Sequence, residues 1–169
     1  WHSSTVLQDN ALGDPHERYV HVITPPDYQQ SKQDYPCIMI LAPFTGTGES
    51  LLGRGLTEVS IATRMDHLFT AGCPPFIAVL PDCMTRLGGS QYVDSEGLGR
   101  YASYVTTEIR SFVDNTYRTT KQWAAVGRSS GGFGALHLAM NHPGAFEAVA
   151  CHAGDMGFDL AYLNEIPLT

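Results

Sequence analysis

Around position 129 the chain reads Val126-Gly127-Arg128-Ser129-Ser130-Gly131-Gly132-Phe133-Gly134-Ala135. Gly127 to Gly131 carry the spacing G-x-S-x-G, with an apolar run before it and a small-residue segment after it. A serine set between a strand and a helix is an arrangement for nucleophilic attack on an acyl carbon. The reason is steric. A strand that turns at once into a helix strains its apex residue, and side chains two positions to either side would collide, so glycines stand there. The turn lifts the Ser129 hydroxyl above the sheet at the positive end of the following helix. Gly132, Gly134 and Ala135 are expected to let that helix approach the sheet. The plain alternative is a glycine-rich connection with an ordinary serine. Neither G-x-G-x-x-G nor a P-loop occurs in the right place, which excludes the common phosphate cradles.

Acyl transfer needs donors for the developing oxyanion. The backbone N–H of Ser130, the residue after the nucleophile, is one candidate. The second comes from the loop after an earlier strand, here Ala42-Pro43-Phe44-Thr45-Gly46-Thr47-Gly48. Pro43 has no N–H to offer, which leaves Phe44; the same residues would also serve as a plain Gly/Thr loop. For the base, three histidines follow Ser129. His137 lies two turns down the helix and His142 at its far end. His152 ends the next strand on the same edge as Ser129, where neighbouring strands are about 5 Å apart. His152 is thus the base geometry allows, with Asp155 the nearest acid; the alternative is a rim histidine in a structural hydrogen bond.

These residues need a frame. Cys37–Ala42, Phe76–Leu80, Trp123–Val126 and Phe146–Cys151 are apolar runs, the pattern of strands covered on both faces of a parallel sheet. Ile61, Met65, Leu68 and Phe69 share one face of a helix predicted over Thr57–Ala71. Ala102, Val105, Ile109, Phe112 and Val113 do so over Arg100–Tyr117, and a third helix runs over Ser130–Asn141 before Pro143. The alternation predicts an α/β fold, a mostly parallel sheet with helices on both faces. Arg18–Thr24 alternates like a strand and Gly13-Asp14-Pro15 marks a turn, so the chain is expected to open with an antiparallel hairpin or meander. Asp82–Gly99 is polar and reads as a long loop.

Composition narrows the partners. The 169 residues suit one domain, residues 1–169, with 43% hydrophobic residues to build its core. Ten Lys and Arg against seventeen Asp and Glu give a net charge of -7, which disfavours nucleic acid. No apolar run approaches the ~20 residues of a membrane span. Cys37 and Cys151 sit in apolar runs and are expected to be buried thiols. Cys73 and Cys83 flank another run and could be bridged, and no cysteine spacing suggests zinc.

From Tyr35 to Asp155 the sequence resembles the esterase D-type family of α/β-hydrolases, with its S-formylglutathione hydrolases, feruloyl and enterochelin esterases and antigen 85 mycolyltransferases. The resemblance rests on Pro81-Asp82, Gly89-Ser90-Gln91-Tyr92, Glu108-Ile109, Val113-Asp114, Tyr117-Arg118-Thr119, Gly127 to Leu136, His142-Pro143 and Phe146. It implies an α/β-hydrolase with Ser129 as nucleophile and the N–H groups of Ser130 and Phe44 as oxyanion hole. The implied substrate is a small carboxylic ester or thioester, with no metal or other cofactor. Pro43 stands where the family usually has Gly. Members continue with further strands bearing the catalytic acid and histidine, whereas 40 residues follow Ser129 here. The resemblance thus implies an N-terminal portion of such a hydrolase, lacking the last strands. An acyltransferase, or a silent fragment or binding module without the histidine, are the other readings. A sheet edge left open would invite a homo-oligomer.

Overall fold

Seven residues of alternating burial, Tyr35–Leu41, form the strand on which the molecule is organised. Its odd positions, Tyr35, Cys37, Met39 and Leu41, join one buried cluster, while Ile38 and Ile40 pack against a second on the opposite face. This is the two-residue period of a pleated strand with both faces covered. In a computed structural model of the protein, which describes residues 1–53 and 59–161, the elements follow in order. They are β1 (His2–Ser3), β2 (Glu17–Arg18), β3 (Val20–Ile23), β4 (Tyr35–Leu41), α1 (Ile61–Thr70), β5 (Ile77–Pro81), β6 (Met84–Thr85), β7 (Gly88–Gly89), β8 (Asp94–Ser95) and β9 (Gly99–Arg100). A helix in three parts comes next: α2 (Tyr101–Ser103), a π-helical stretch over Tyr104–Ile109, and α3 (Arg110–Thr116). Then follow β10 (Thr119–Arg128), α4 (Ser130–Asn141), β11 (Ala148–His152) and α5 (Phe158–Ala161).

The main sheet has the order β11-β10-β4-β5-β3. β11, β10, β4 and β5 are parallel and β3 runs antiparallel to β5 at the edge. The mostly parallel sheet expected from the sequence is therefore present. The antiparallel opening is present too, as a β1–β2 ribbon followed by the edge strand β3. One face carries α2, the π-helical stretch, α3 and α4, through Tyr101, Tyr104, Ile109, Val113 and Leu138. The other carries α1, through Met65. α1 starts later than the predicted Thr57, which lies outside the described residues. Ser60, in extended backbone, caps it by accepting from the Thr63 N–H at 3.1 Å.

The structure corrects the readings of Asp82–Gly99, of β11 and of the cysteines. Asp82–Gly99 is not simply a polar loop: it folds into two antiparallel ribbons, β6–β7 and β8–β9, around the buried residues Ser90 and Tyr92. β11 is not covered on both faces, since all five of its residues are exposed. Among the described residues, no strand pairs with it on the side away from β10. Cys151 on β11 is exposed for the same reason, and Cys73 and Cys83 are both free rather than bridged. Cys37 is buried as expected. Burial, reinforced by Asp114, pushes its thiol up to about 12.

Two tethers bind distant parts together. The Glu108 carboxylate, in the π-helical stretch, accepts from the hydroxyls of Ser4 and Thr5 and from the N–H groups of Thr5 and Val6. Trp123 of β10 is 1% exposed, donates from its indole N–H to Asp114, and lies under the Arg110 guanidinium. The other tryptophan, Trp1, is 71% exposed and packs against Tyr19 with ring centroids 3.8 Å apart and planes tilted by 35°. No helix among the described residues is long and apolar enough to cross a membrane.

Candidate active site

β10 runs straight into α4, and the single residue between them is Ser129. Its backbone stands at φ 55°, ψ −126°, a region that side chains other than hydrogen rarely occupy and that costs roughly 1–3 kcal/mol. The two flanking glycines explain how the turn closes. A Cβ on Gly127 would lie 2.1 Å from the carbonyl oxygen of Gly131, and one on Gly131 would lie 2.2 Å from that of Leu41. The turn therefore tolerates no methyl at either place, as the spacing of the glycines suggested. The hydroxyl of Ser129 sits at the carboxyl edge of the parallel strands and at the N-terminus of a 12-residue helix. In open α/β sheets that edge is where ligands bind.

Of the other two glycines assigned to helix–sheet approach, Gly132 meets the turn after β11, with Gly154 Cα and the His152 carbonyl 3.0 Å from where its Cβ would be. Gly134 faces the ring of Tyr92, whose Cδ2 would lie 2.2 Å from an added Cβ. The partner of Gly134 is thus a side chain from the 82–99 segment and not the sheet.

The structure brings Ser129, Ser130, Phe44 and Asp155 to this edge and separates the two halves of the His152–Asp155 pair. Ser130 is 2% exposed as the first residue of α4, and the first N–H groups of a helix lack intrahelical acceptors. Phe44 follows β4. Its side chain is half exposed and its ring lies over Gly88 and Gly89, 2.4 Å from where a Cβ on Gly88 would stand. The Ser129 hydroxyl donates to Asp155, with Oδ1 at 3.2 Å and Oδ2 at 3.3 Å. No hydrogen bond joins the His152 ring to Ser129 among the described residues. His152 contributes its backbone carbonyl, which accepts the Ser129 N–H at 3.0 Å and carries the β10–β11 ladder past the apex. The exposed imidazole of His152 does not stand between hydroxyl and carboxylate, so the acid named from the sequence touches the serine directly.

Asp155 reaches the serine through the turn that follows β11. Ala153 has a positive φ of 48°, and Gly154 packs against Gly132 and the Phe133 N–H. Sequence reading did not find the partner of the Ala42 carbonyl. Tyr92, 4% exposed, donates its hydroxyl to that oxygen at 2.6 Å. The only signal was the run Gly89-Ser90-Gln91-Tyr92, to which no role could be given. No group of His, Cys, Asp and Glu side chains that could hold a metal ion occurs among the described residues.

A strained serine between a parallel strand and a helix, at the carboxyl edge of a sheet layered by helices, places the molecule in the α/β-hydrolase class. Solved structures agree on the fold. A ferulic acid esterase superposes with a TM-score of 0.71 at 24% identity, over 90% of this chain and 56% of its own. An S-formylglutathione hydrolase from Agrobacterium tumefaciens superposes at 0.68 with 20% identity, over 94% and 57%. Among curated proteins, the esterases MT1326 and Rv1288 of two Mycobacterium tuberculosis strains are each 30% identical over 139 residues. That is 80% of this chain and 28% of theirs. The sequence profile of the family described as "Putative esterase" matches residues 11–157, and the chain belongs to that esterase family. It spans under a third of those mycobacterial relatives and somewhat over half of those solved structures.

Proposed function

We propose that Ser129 is the nucleophile of a carboxylic-ester or thioester hydrolase that works through an acyl-enzyme. Its Oγ attacks the acyl carbon and its proton passes to a base. The leaving alcohol or thiol takes that proton, and water then releases the acid. The observation that carries the reading is the backbone of Ser129, held at φ 55° between β10 and α4 by two glycines that admit no side chain. Strain of this kind persists where the surroundings enforce it, and here it serves to present one hydroxyl.

The oxyanion would be received by the N–H groups of Ser130 and Phe44, at the start of α4 and after β4. The substrate would be a small ester or thioester, in keeping with the esterase family and with the names of the chain's relatives. Among the described residues no histidine ring bonds the Ser129 hydroxyl, whose partner is the Asp155 carboxylate. A fluorophosphonate probe tests the assignment. It should add to the peptide containing Ser129 and to nothing in Ser129→Ala, read by intact-protein and peptide mass spectrometry. A chain that ignores the probe, or an adduct that survives Ser129→Ala, would refute the nucleophile.

A further inference from the structure

Tyr92 joins three parts of the site and belongs to none of them. Its hydroxyl donates to the Ala42 carbonyl at 2.6 Å, its ring fills the space left by Gly134 of α4, and it follows the Gly88-Gly89 pair that underlies the Phe44 ring. The Tyr92 N–H is bound to the Ser90 hydroxyl at 3.2 Å, and both Gln91 and Tyr92 adopt positive φ, 52° and 56°. Two consecutive non-glycine residues in that region are costly, and such strain survives only when something else depends on the geometry. Burial drives the Tyr92 phenol well above its ordinary value, so it remains a donor across the neutral range.

We infer that Tyr92 is a positioning residue for the oxyanion hole: its hydroxyl fixes the Ala42–Pro43 peptide and so aims the Phe44 N–H toward the Ser129 edge. The inference rests on the nucleophile reading above. The covalent geometry supports it. Proline locks its own φ near −65°. With the Ala42 carbonyl pinned by Tyr92, only Pro43 ψ separates it from the Phe44 N–H. That last torsion is held as well, because the Gly46 N–H donates to the Pro43 carbonyl at 2.9 Å, in the same trans peptide plane as the Phe44 N–H. Pro43, which removes a donor from the loop, thereby stiffens the path to the next one. Gly131 completes the arrangement, since the Leu41 and Ala42 carbonyls pass against its Cα and tie the loop to the turn that carries Ser129.

Tyr92→Phe keeps the ring against Gly134 and removes only the donor. Phosphonylation of Ser129 at saturating probe should slow about tenfold, short of the ~100-fold or more lost when an oxyanion donor is removed outright. The half-saturating probe concentration should stay unchanged, a split that general loosening would not produce. In parallel, the Phe44 amide resonance should shift in the 15N–1H spectrum, whether or not Ser129 reacts. Should Tyr92→Phe fail to fold, 3-fluorotyrosine at position 92 keeps ring and hydroxyl, alters donor strength alone, and must move the same resonance. An unmoved Phe44 amide overturns the inference, as does an unchanged phosphonylation rate. A shifted amide in a chain whose wild type ignores the probe overturns the nucleophile reading instead and leaves the strut in place.

Discussion

Ser129 has two sides, and they are built differently. Toward β4 and the 82–99 segment it is backed by buried parts: Leu41 and Ala42 at 1% and 3% exposure, Tyr92 at 4%, and carbonyls pressed against Gly131. Toward β11 it is held by one backbone hydrogen bond, from the exposed edge strand, and by the carboxylate of half-buried Asp155 at 3.2 Å in the turn that follows. The first side resembles a protein interior, where a displaced methyl is felt. The second is a margin. The groups proposed to stabilise charge thus stand on the rigid side and the tether for the hydroxyl on the loose side. Preorganisation matters most where charge develops.

The contrast can be broken most severely at the turn. Gly131→Ala puts a methyl 2.2 Å from a backbone carbonyl that cannot retreat. It should abolish Ser129 phosphonylation and cost about 3 kcal/mol of stability in urea unfolding. A variant that folds and labels like the wild type would show that the turn has slack. The next contrast sets core against edge. Met39→Ala, at 0% exposure in β4, should cost about 2–5 kcal/mol, whereas Val149→Ala on β11 should cost less than about 0.5. Similar losses at the two would mean that β11 is covered in solution. Sedimentation would then reveal a homo-oligomer paired through that edge, and Val149→Lys would dissociate it.

A finer cut concerns Asp155. Asp155→Ala removes the carboxylate that accepts the single Ser129 hydroxyl proton and should cost about 1 kcal/mol, with phosphonylation changed by less than about tenfold. A drop of a hundredfold would move Asp155 from tether to proton acceptor. The smallest effect is local and depends on pH. Burial raises the Glu108 carboxyl, but hydrogen bonds from Ser4, Thr5 and Val6 outweigh it and leave the value lowered. A lowered folded value stabilises the segment above the ordinary Glu range and is lost as pH falls through it. Hydrogen-exchange protection at the Thr5 and Val6 amides should therefore be full above about pH 5 and decline below about pH 4. Protection that persists in acid would show that the segment does not depend on the carboxylate.

The legible parts of the sequence were those governed by local rules. G-x-S-x-G announced its own turn because Gly127 answers to Gly131 four residues on, although Gly131 itself answers to the distant carbonyls of Leu41 and Ala42. β4 and β5 announced themselves because both faces are buried and their apolar runs are unbroken. β11 carried the same pattern, Ala148-Val149-Ala150-Cys151, and misled on burial, since composition records what a strand can pair with and not what is present to cover it. Gly134 misled in a different way: the small residue was read correctly, yet its partner came from 42 positions upstream, in a segment that looked polar. The same distance hid Tyr92, because a buried phenol bound to a carbonyl 50 residues away leaves no periodic trace. His152 and Asp155 were placed on the correct edge by strand order. Which of them meets the hydroxyl was decided by the positive φ of Ala153, which no spacing rule foretells.

The two tryptophans give the molecule a pair of optical probes. Trp123, sealed between Asp114 and Arg110, should emit at short wavelength and be untouched by iodide, while Trp1 on the rim should emit to the red and be quenched. Selective quenching would then separate events beneath the sheet from events at its surface with no label added.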